Sequence, residues 1–156
     1  MPLAESDVTE LIGMIMSTTV DFDVQALEPG SVDARIQPVL EAEIRITGTW
    51  RGSVMLHASE ALASRFAQPM FDLGSTAPTP QETHDALGEL VNMTGGNIKG
   101  LLSDAGAHLS LPSVSRAEGY QLRVREGGQM GRFEYACDGE PLVITVLEGL
   151  VEPCAN

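Results

Sequence analysis

Apolar positions along the chain recur with two periods. Val8, Leu11, Ile12, Ile15 and Met16 return every three or four residues and predict a first helix from Ala4 to Val20. Pro29-Gly30 marks a turn. From Ala42 to Thr47 the period drops to two, with Ile44 and Ile46 on one side and Glu43 and Arg45 on the other. Beyond a turn at Gly48 and Thr49, Val54 and Leu56 share one face, and Ser53, Met55 and His57 the other. These runs predict two antiparallel strands joined by a short connection. Helical spacing resumes at Leu62, Phe66 and Met70, in a second helix from Glu60 to Leu73. Ser59 is its N-cap, Pro69 kinks or splits it, and Gly74 ends it.

Thr79-Pro80-Gln81-Glu82 is a further helix start. Thr79 and Glu82 form a capping box, and Pro80 takes the first helical position, where its missing N–H costs nothing. This third helix is expected to run to about Asp104, with Gly106 and Pro112 bracketing its exit. Thereafter the period is two again. Tyr120, Leu122 and Val124 alternate with Gln121, Arg123 and Arg125, then Gly127-Gly128 turns the chain. Phe133, Tyr135 and Cys137 alternate with polar neighbours, and Asp138-Gly139 is a hairpin signal. Leu142 to Leu150 is nearly continuous apolar sequence, as in a central strand buried on both faces. The tail from Glu152 is expected to fray. The pattern predicts one α+β domain over residues 1–156, a mainly antiparallel sheet packed against an N-terminal helix and two central helices.

The third helix carries an unusual polar stripe. At about 100° per residue, Ala86, Leu87, Leu90, Val91, Met93, Ile98, Leu101 and Leu102 make one broad apolar face. Asp85, Glu89, Asn92, Gly96 and Lys99 fall opposite, flanked by Gly88, Gly95 and Gly100. Each interior glycine costs roughly 1 kcal/mol of helix stability relative to alanine. Close approach of another backbone, or of a partner protein, is a reason to tolerate them. Glu89 and Asn92 lie three residues apart, so their side chains project together from a bare ridge. The same pattern also suits a solvated helix face whose glycines allow tight packing within the protein. Asn97 falls toward the apolar side, where a buried amide needs partners, and is expected to be structural.

Composition narrows the function classes. A net charge of −13 opposes binding to nucleic acid or to an anionic membrane surface, both of which want a basic face. It favours a partner with a basic or lysine-bearing patch. Aromatic residues are 4% of the chain, so the core is aliphatic, with methionine as filler. No run approaches the ~20 apolar residues of a membrane span. The N-terminal residues lack a signal-peptide pattern, so a reducing cytoplasm is the expected setting. Cys137 and Cys154 make neither a disulfide framework nor a metal site, and Cys137 reads as a buried small hydrophobe. His57, His84 and His108 lack metal-ligand spacing, and no Ser or Cys has a supporting His/Asp arrangement.

Asp85-Ala86-Leu87-Gly88-Glu89-Leu90-Val91-Asn92-Met93, followed by Gly96-Asn97-Ile98-Lys99, resembles the signature of the CheX/CheC/FliY family. That family comprises bacterial phosphatases of phosphorylated response regulators, and its signature is Glu-x-x-Asn on a helix. Thr47-Gly48-Thr49-Trp50-Arg51-Gly52-Ser53-Val54 is similar to the strand pair before the family's second helix, and the resemblance spans about Leu3 to Leu150. Glu10-Leu11-Ile12-Gly13 has glycine where a second copy of the motif would carry its amide, which favours a CheX-like over a CheC-like reading.

The resemblance implies a CheX-like fold and a protein aspartyl-phosphate phosphatase acting on a CheY-like receiver domain. Asn92 would orient the attacking water, and Glu89 would dock the partner's lysine. Asp85, Gly88, Gly96 and Lys99 are candidate partner contacts, although salt-bridging or packing roles suit them equally. No cofactor of its own is implied, Mg2+ being expected in the response regulator. A homodimer built through sheet edges is also implied. The alternative is a catalytically inactive scaffold for a receiver domain or another signalling partner.

Overall fold

The computed structural model describes residues 3–32, 38–102, 106–118 and 129–149. Within them, helix α1 (Glu5–Thr19) leads into the short strand β1 (Val24–Ala26). Strands β2 (Pro38–Thr47) and β3 (Arg51–Ala58) form an antiparallel pair, with Ile44 opposite Val54. Helices α2 (Glu60–Met70) and α3 (Pro80–Leu101) follow. The chain then adds β4 (His108–Leu109), β5 (Ser113–Glu118), β6 (Gln129–Cys137) and β7 (Glu140–Glu148). All described pairings are antiparallel, in the order β1-β6-β7-β3-β2, with β4 and β5 both on the outer edge of β2. The fold class expected from periodicity is therefore the one observed.

The two caps expected before α2 and α3 both form. Ser59 Oγ accepts from the Leu62 N–H at 3.0 Å. Thr79 Oγ1 accepts from the Glu82 N–H at 3.1 Å, while Glu82 Oε1 accepts from the Thr79 N–H at 2.9 Å. Pro69 sits in the last turn of α2, where it ends the helix at Met70 instead of kinking a longer one to Leu73. At Asp138-Gly139 both residues have positive φ, 49° and 81°, as a two-residue hairpin turn matching the strand twist requires.

One face of the sheet carries the three helices. Ile44, Ile46, Val54, Leu56, Leu142, Ile144 and Val146 meet Ile12, Met16, Phe66, Leu87, Leu90 and Val91 in a single buried cluster. Each such side chain contributes roughly 1.5–3 kcal/mol on burial. Tyr135 is buried there too, its hydroxyl 3.0 Å from Thr9 Oγ1. The strand from Leu142 is central and two-sided as expected, lying between β6 and β3.

The alternation of β3 is not an in/out pattern. Ser53, Met55 and His57 are as buried as Val54 and Leu56, because β3 is an inner strand and its second face is covered as well. There Val32, Val39 and Val143 cluster, with Leu27 and Ala117 against them. Glu134 pins the covering segment: its carboxylate accepts from the N–H groups of Gly30 at 3.0 Å and Val32 at 2.7 Å. His57 Nε2 lies 2.9 Å from Glu41 Oε1 on the same face.

Strands β1, β4 and β5 were not expected from periodicity. The expected strand over Tyr120–Arg125, the turn at Gly127-Gly128, the helix end at Asp104 and the tail with Cys154 lie outside the described residues. Among the described residues, no helix is long and apolar enough to cross a membrane.

Candidate functional site

Helix α3 approaches the sheet most closely at Gly95. A Cβ on Gly95 would stand 2.7 Å from Ile44 Cγ2, so glycine is what lets the helix lie this close to β2. The buried arc runs through Thr83, Ala86, Leu87, Gly88, Leu90, Val91, Thr94, Gly95 and Ile98. Its polar members are satisfied locally, Thr83 donating to the Thr79 carbonyl at 3.1 Å and Thr94 to the Leu90 carbonyl at 2.7 Å. With that arc against the core, Glu89 is exposed and Asn92 half-buried, one turn apart on the outer side. Among the described residues, no side-chain hydrogen bond or ion pair engages either of them.

The segment after α3 folds back along the ridge. Lys99 Nζ donates to the Ala107 carbonyl at 3.0 Å. Leu109 reaches the open side of Gly96, and Pro112 and Val114 pack over Gly88. Asn92 lies between these two contacts along the helix. Gln81, His84, Asp85, Gly88, Glu89, Pro112 and Val114 enclose an open depression of about 490 Å³ at the N-terminal half of the ridge. It is acidic, and its carboxylates differ in engagement. Asp85 accepts from Gln81 Nε2 at 2.8 Å, whereas Glu89 projects freely.

The structure thus brings Asp85, Gly88, Glu89 and Asn92 to one surface and gives the glycines separate jobs. Gly88 is buried and forms part of the depression's wall instead of flanking an open ridge; Gly95 faces the sheet. Gly96 remains half-exposed beside Leu109. Lys99 holds the returning segment. Asn97 does not lie on the buried side as its helical position suggests: its side chain is exposed and donates to its own helix at the Met93 carbonyl, 2.9 Å away. The buried arc narrows beyond Gly95 to Ile98, with Met93, Leu101 and Leu102 only partly covered, so the flank carrying Asn97 is open.

The sequence pattern does not reveal Leu109, Pro112 and Val114 as neighbours of the ridge. Only Pro112 carried a local signal, and it was read as a boundary.

Of the other reactive side chains, only His84 is at the ridge among the described residues. Cys137 is buried on the helix-facing side of β6. Burial, reinforced by Asp138, pushes its thiol up to about 12, so it stays protonated and is a poor nucleophile. His57 belongs to the second face of the sheet, and His108 is exposed on β4. His84 lines the depression. No group of three or more His, Cys, Asp or Glu gathers as a metal site among the described residues.

The model of the family described as chemotaxis phosphatase CheX matches residues 41–135, more than half of the chain and all of the ridge. No curated protein matches the chain. Among solved structures, the chemotaxis protein CheX from Vibrio vulnificus superposes with a TM-score of 0.73 at 19% identity, covering 94% of this chain and 99% of that one. A putative chemotaxis protein from Desulfovibrio vulgaris Hildenborough gives 0.74 at 20% identity, covering 92% and 95%. The CheX–CheY–BeF3–Mg2+ complex from Borrelia burgdorferi gives 0.59 at 12% identity, covering 93% and 97%. At these identities the superpositions speak for the fold, and the family match carries the assignment: this chain belongs to the CheX chemotaxis phosphatase family.

Proposed function

We propose that this protein hydrolyses the aspartyl phosphate of a CheY-like receiver domain, with Asn92 holding the attacking water and Glu89 docking the partner. The observation that carries this reading is the unengaged Glu89–Asn92 pair on the outer side of α3, inside the family-matched segment. The solved CheX–CheY complex of the Borrelia protein supports a receiver domain as the partner class.

The residue types suit the reaction. An aspartyl phosphate is an activated acyl phosphate, so a positioned water and charge neutralisation are the main requirements. The Asn92 amide oxygen accepts a hydrogen bond from the water, directing a lone pair at phosphorus without adding charge beside a dianion. The water oxygen bonds to phosphorus as the bond from phosphorus to the aspartyl oxygen breaks. The partner's carboxylate takes the electron pair, and the water's proton leaves with phosphate or solvent. Glu89 would repel the phosphoryl group if it touched it. Its task is instead an ion pair with the partner's active-site lysine, which aligns the ridge. The Mg2+ that neutralises the phosphoryl oxygens belongs to the partner.

The test is loss of acyl phosphate from a panel of the host's phosphorylated receiver domains, with wild type and Asn92→Ala side by side. Acceleration by wild type alone is the expected result. Equal acceleration by both removes Asn92 from the chemistry. Binding without acceleration by wild type turns the assignment to a scaffold.

A further inference from the structure

Leu111 is 90% exposed, far above the other large exposed apolar side chains among the described residues, Met14 at 52% and Phe71 at 39%. Its backbone is nevertheless held from both sides. Leu109 pairs with Ile46, and Ser113 pairs with Glu43, so both flanks of the segment are fastened to β2. Ser110 adds two clamps: its N–H donates to the Arg45 carbonyl at 2.9 Å, and its Oγ accepts from the Arg45 N–H at 2.9 Å. Pro112 follows and restricts Leu111 to extended backbone. Lys99 ties the start of the segment to α3 through Ala107. The result is an apolar side chain displayed to water on a short, pre-organised bridge.

The bridge also lies beside the reacting ridge. Leu109 lies by the Gly96 position and Pro112 by the Gly88 position, so the backbone of Leu111 passes between these two points on the flank of the helix that carries Glu89 and Asn92. Pro112 and Glu89 line the same acidic depression.

We infer that Leu111 is the apolar anchor by which this protein seats the phosphorylated receiver domain, inserting beside the lysine that Glu89 receives. The inference rests on the phosphatase reading and deepens it by assigning partner affinity to a residue outside the motif. With the backbone already held, only the leucine's own rotamers remain to be fixed on docking. Covering a leucine is worth on the order of tenfold to a hundredfold in affinity. Leu111 touches no reacting atom, so it sets the concentration dependence and leaves the maximal rate alone.

The test compares wild type, Leu111→Ser and Leu111→Met in phosphate-release kinetics and in binding to the same receiver activated with beryllofluoride and Mg2+. Leu111→Ser is expected to raise the half-saturating receiver concentration and the Kd about tenfold, with the maximal rate within about twofold of wild type. Leu111→Met is expected to restore affinity, and all three are expected to melt alike. Wild-type affinity in Leu111→Ser overturns the inference and leaves the phosphatase reading standing. A wild type that binds without hydrolysis removes the phosphatase reading alone, and the binding of Leu111→Ser then decides the inference. A wild type that neither binds nor hydrolyses overturns both. A change of oligomeric state in Leu111→Ser at unchanged receiver affinity assigns Leu111 to a contact between copies, and also overturns it.

Discussion

Glu89 and Asn92 are one helical turn apart, the proposed mechanism assigns them different work, and substitution separates them. Glu89→Ala is expected to weaken receiver binding about tenfold by leaving the partner's lysine unpaired. Asn92→Ala is expected to leave binding intact while the rate of phosphate loss falls about a hundredfold, the scale of a misplaced reactant. Titration calorimetry against a beryllofluoride-activated receiver checks the first, and single-turnover kinetics the second. Equal binding by the two variants would count against the division of labour. Helical spacing put the two residues on one face, and the resemblance to a Glu-x-x-Asn signature is what singled them out. Leu111 was not legible in the sequence, because its display depends on β4 and β5 both pairing with β2, contacts more than sixty residues apart in the chain. Asn97 was misjudged for a related reason: a helical wheel does not say how far along α3 the core cover extends.

Glu134 makes the stability of the fold depend on pH. Burial works to raise its pKa, but the N–H groups of Val32 and Gly30, with Arg132 beside it, together outweigh burial and hold it below its ordinary 4.5. A carboxylate lowered on folding stabilises the fold above the ordinary value, and that contribution fades as the pH falls through the lowered one. Glu134→Gln is therefore expected to cost about 1–3 kcal/mol at pH 7, the worth of hydrogen bonds to a charged group. The deficit is expected to shrink as the pH falls below 4.5. Urea unfolding of both proteins at pH 7 and pH 3 measures this, and a gap that widens in acid would refute it.

At the scale of elements, α3 separates glycines that serve the fold from those that do not. Gly95→Ala gains helix propensity but drives a methyl into buried Ile44, whose branched side chain has little room to give. Overpacking outweighs propensity, and a net loss of about 1–2 kcal/mol is expected. Gly100 is exposed, with nothing within 4 Å of an added Cβ, so Gly100→Ala is expected to stabilise by about 0.5–1 kcal/mol. Denaturant unfolding checks both signs. The helices were readable from the sequence because their signals are local: the Thr79 capping box, the Ser59 cap and apolar spacing. Among the strands, β2 and β3 were readable from alternation. By contrast β5, Ser113-Val114-Ser115-Arg116-Ala117-Glu118, is a mostly exposed edge strand with one large apolar residue. Its conformation comes from pairing with β2, so no local pattern marks it. The unexpected start of β2 at Pro38 has the same origin, since β5 pairs with residues 38–43.

For the whole molecule, the sheet is a platform and α3 is the face it presents. Helices α1 and α2 cover the core beside α3, and β4 and β5 build up one flank of the ridge. The chain carries a net charge of −13, and the depression beside Glu89 shares its sign. Association with a lysine-presenting face is then electrostatically steered, and its rate is expected to fall several-fold between low salt and about 0.5 M salt. Stopped-flow binding over that range checks this, with no salt dependence as the contrary result. An enzyme differs from a scaffold here in whether the ridge performs chemistry or only holds a partner. The most direct measurement is single-turnover loss of phosphate from a receiver bound at saturation, with wild type and Asn92→Ala. Fast loss with wild type, and loss at the receiver's own rate with a fully bound Asn92→Ala, is the predicted result. Equal rates in the two saturated complexes would contradict it.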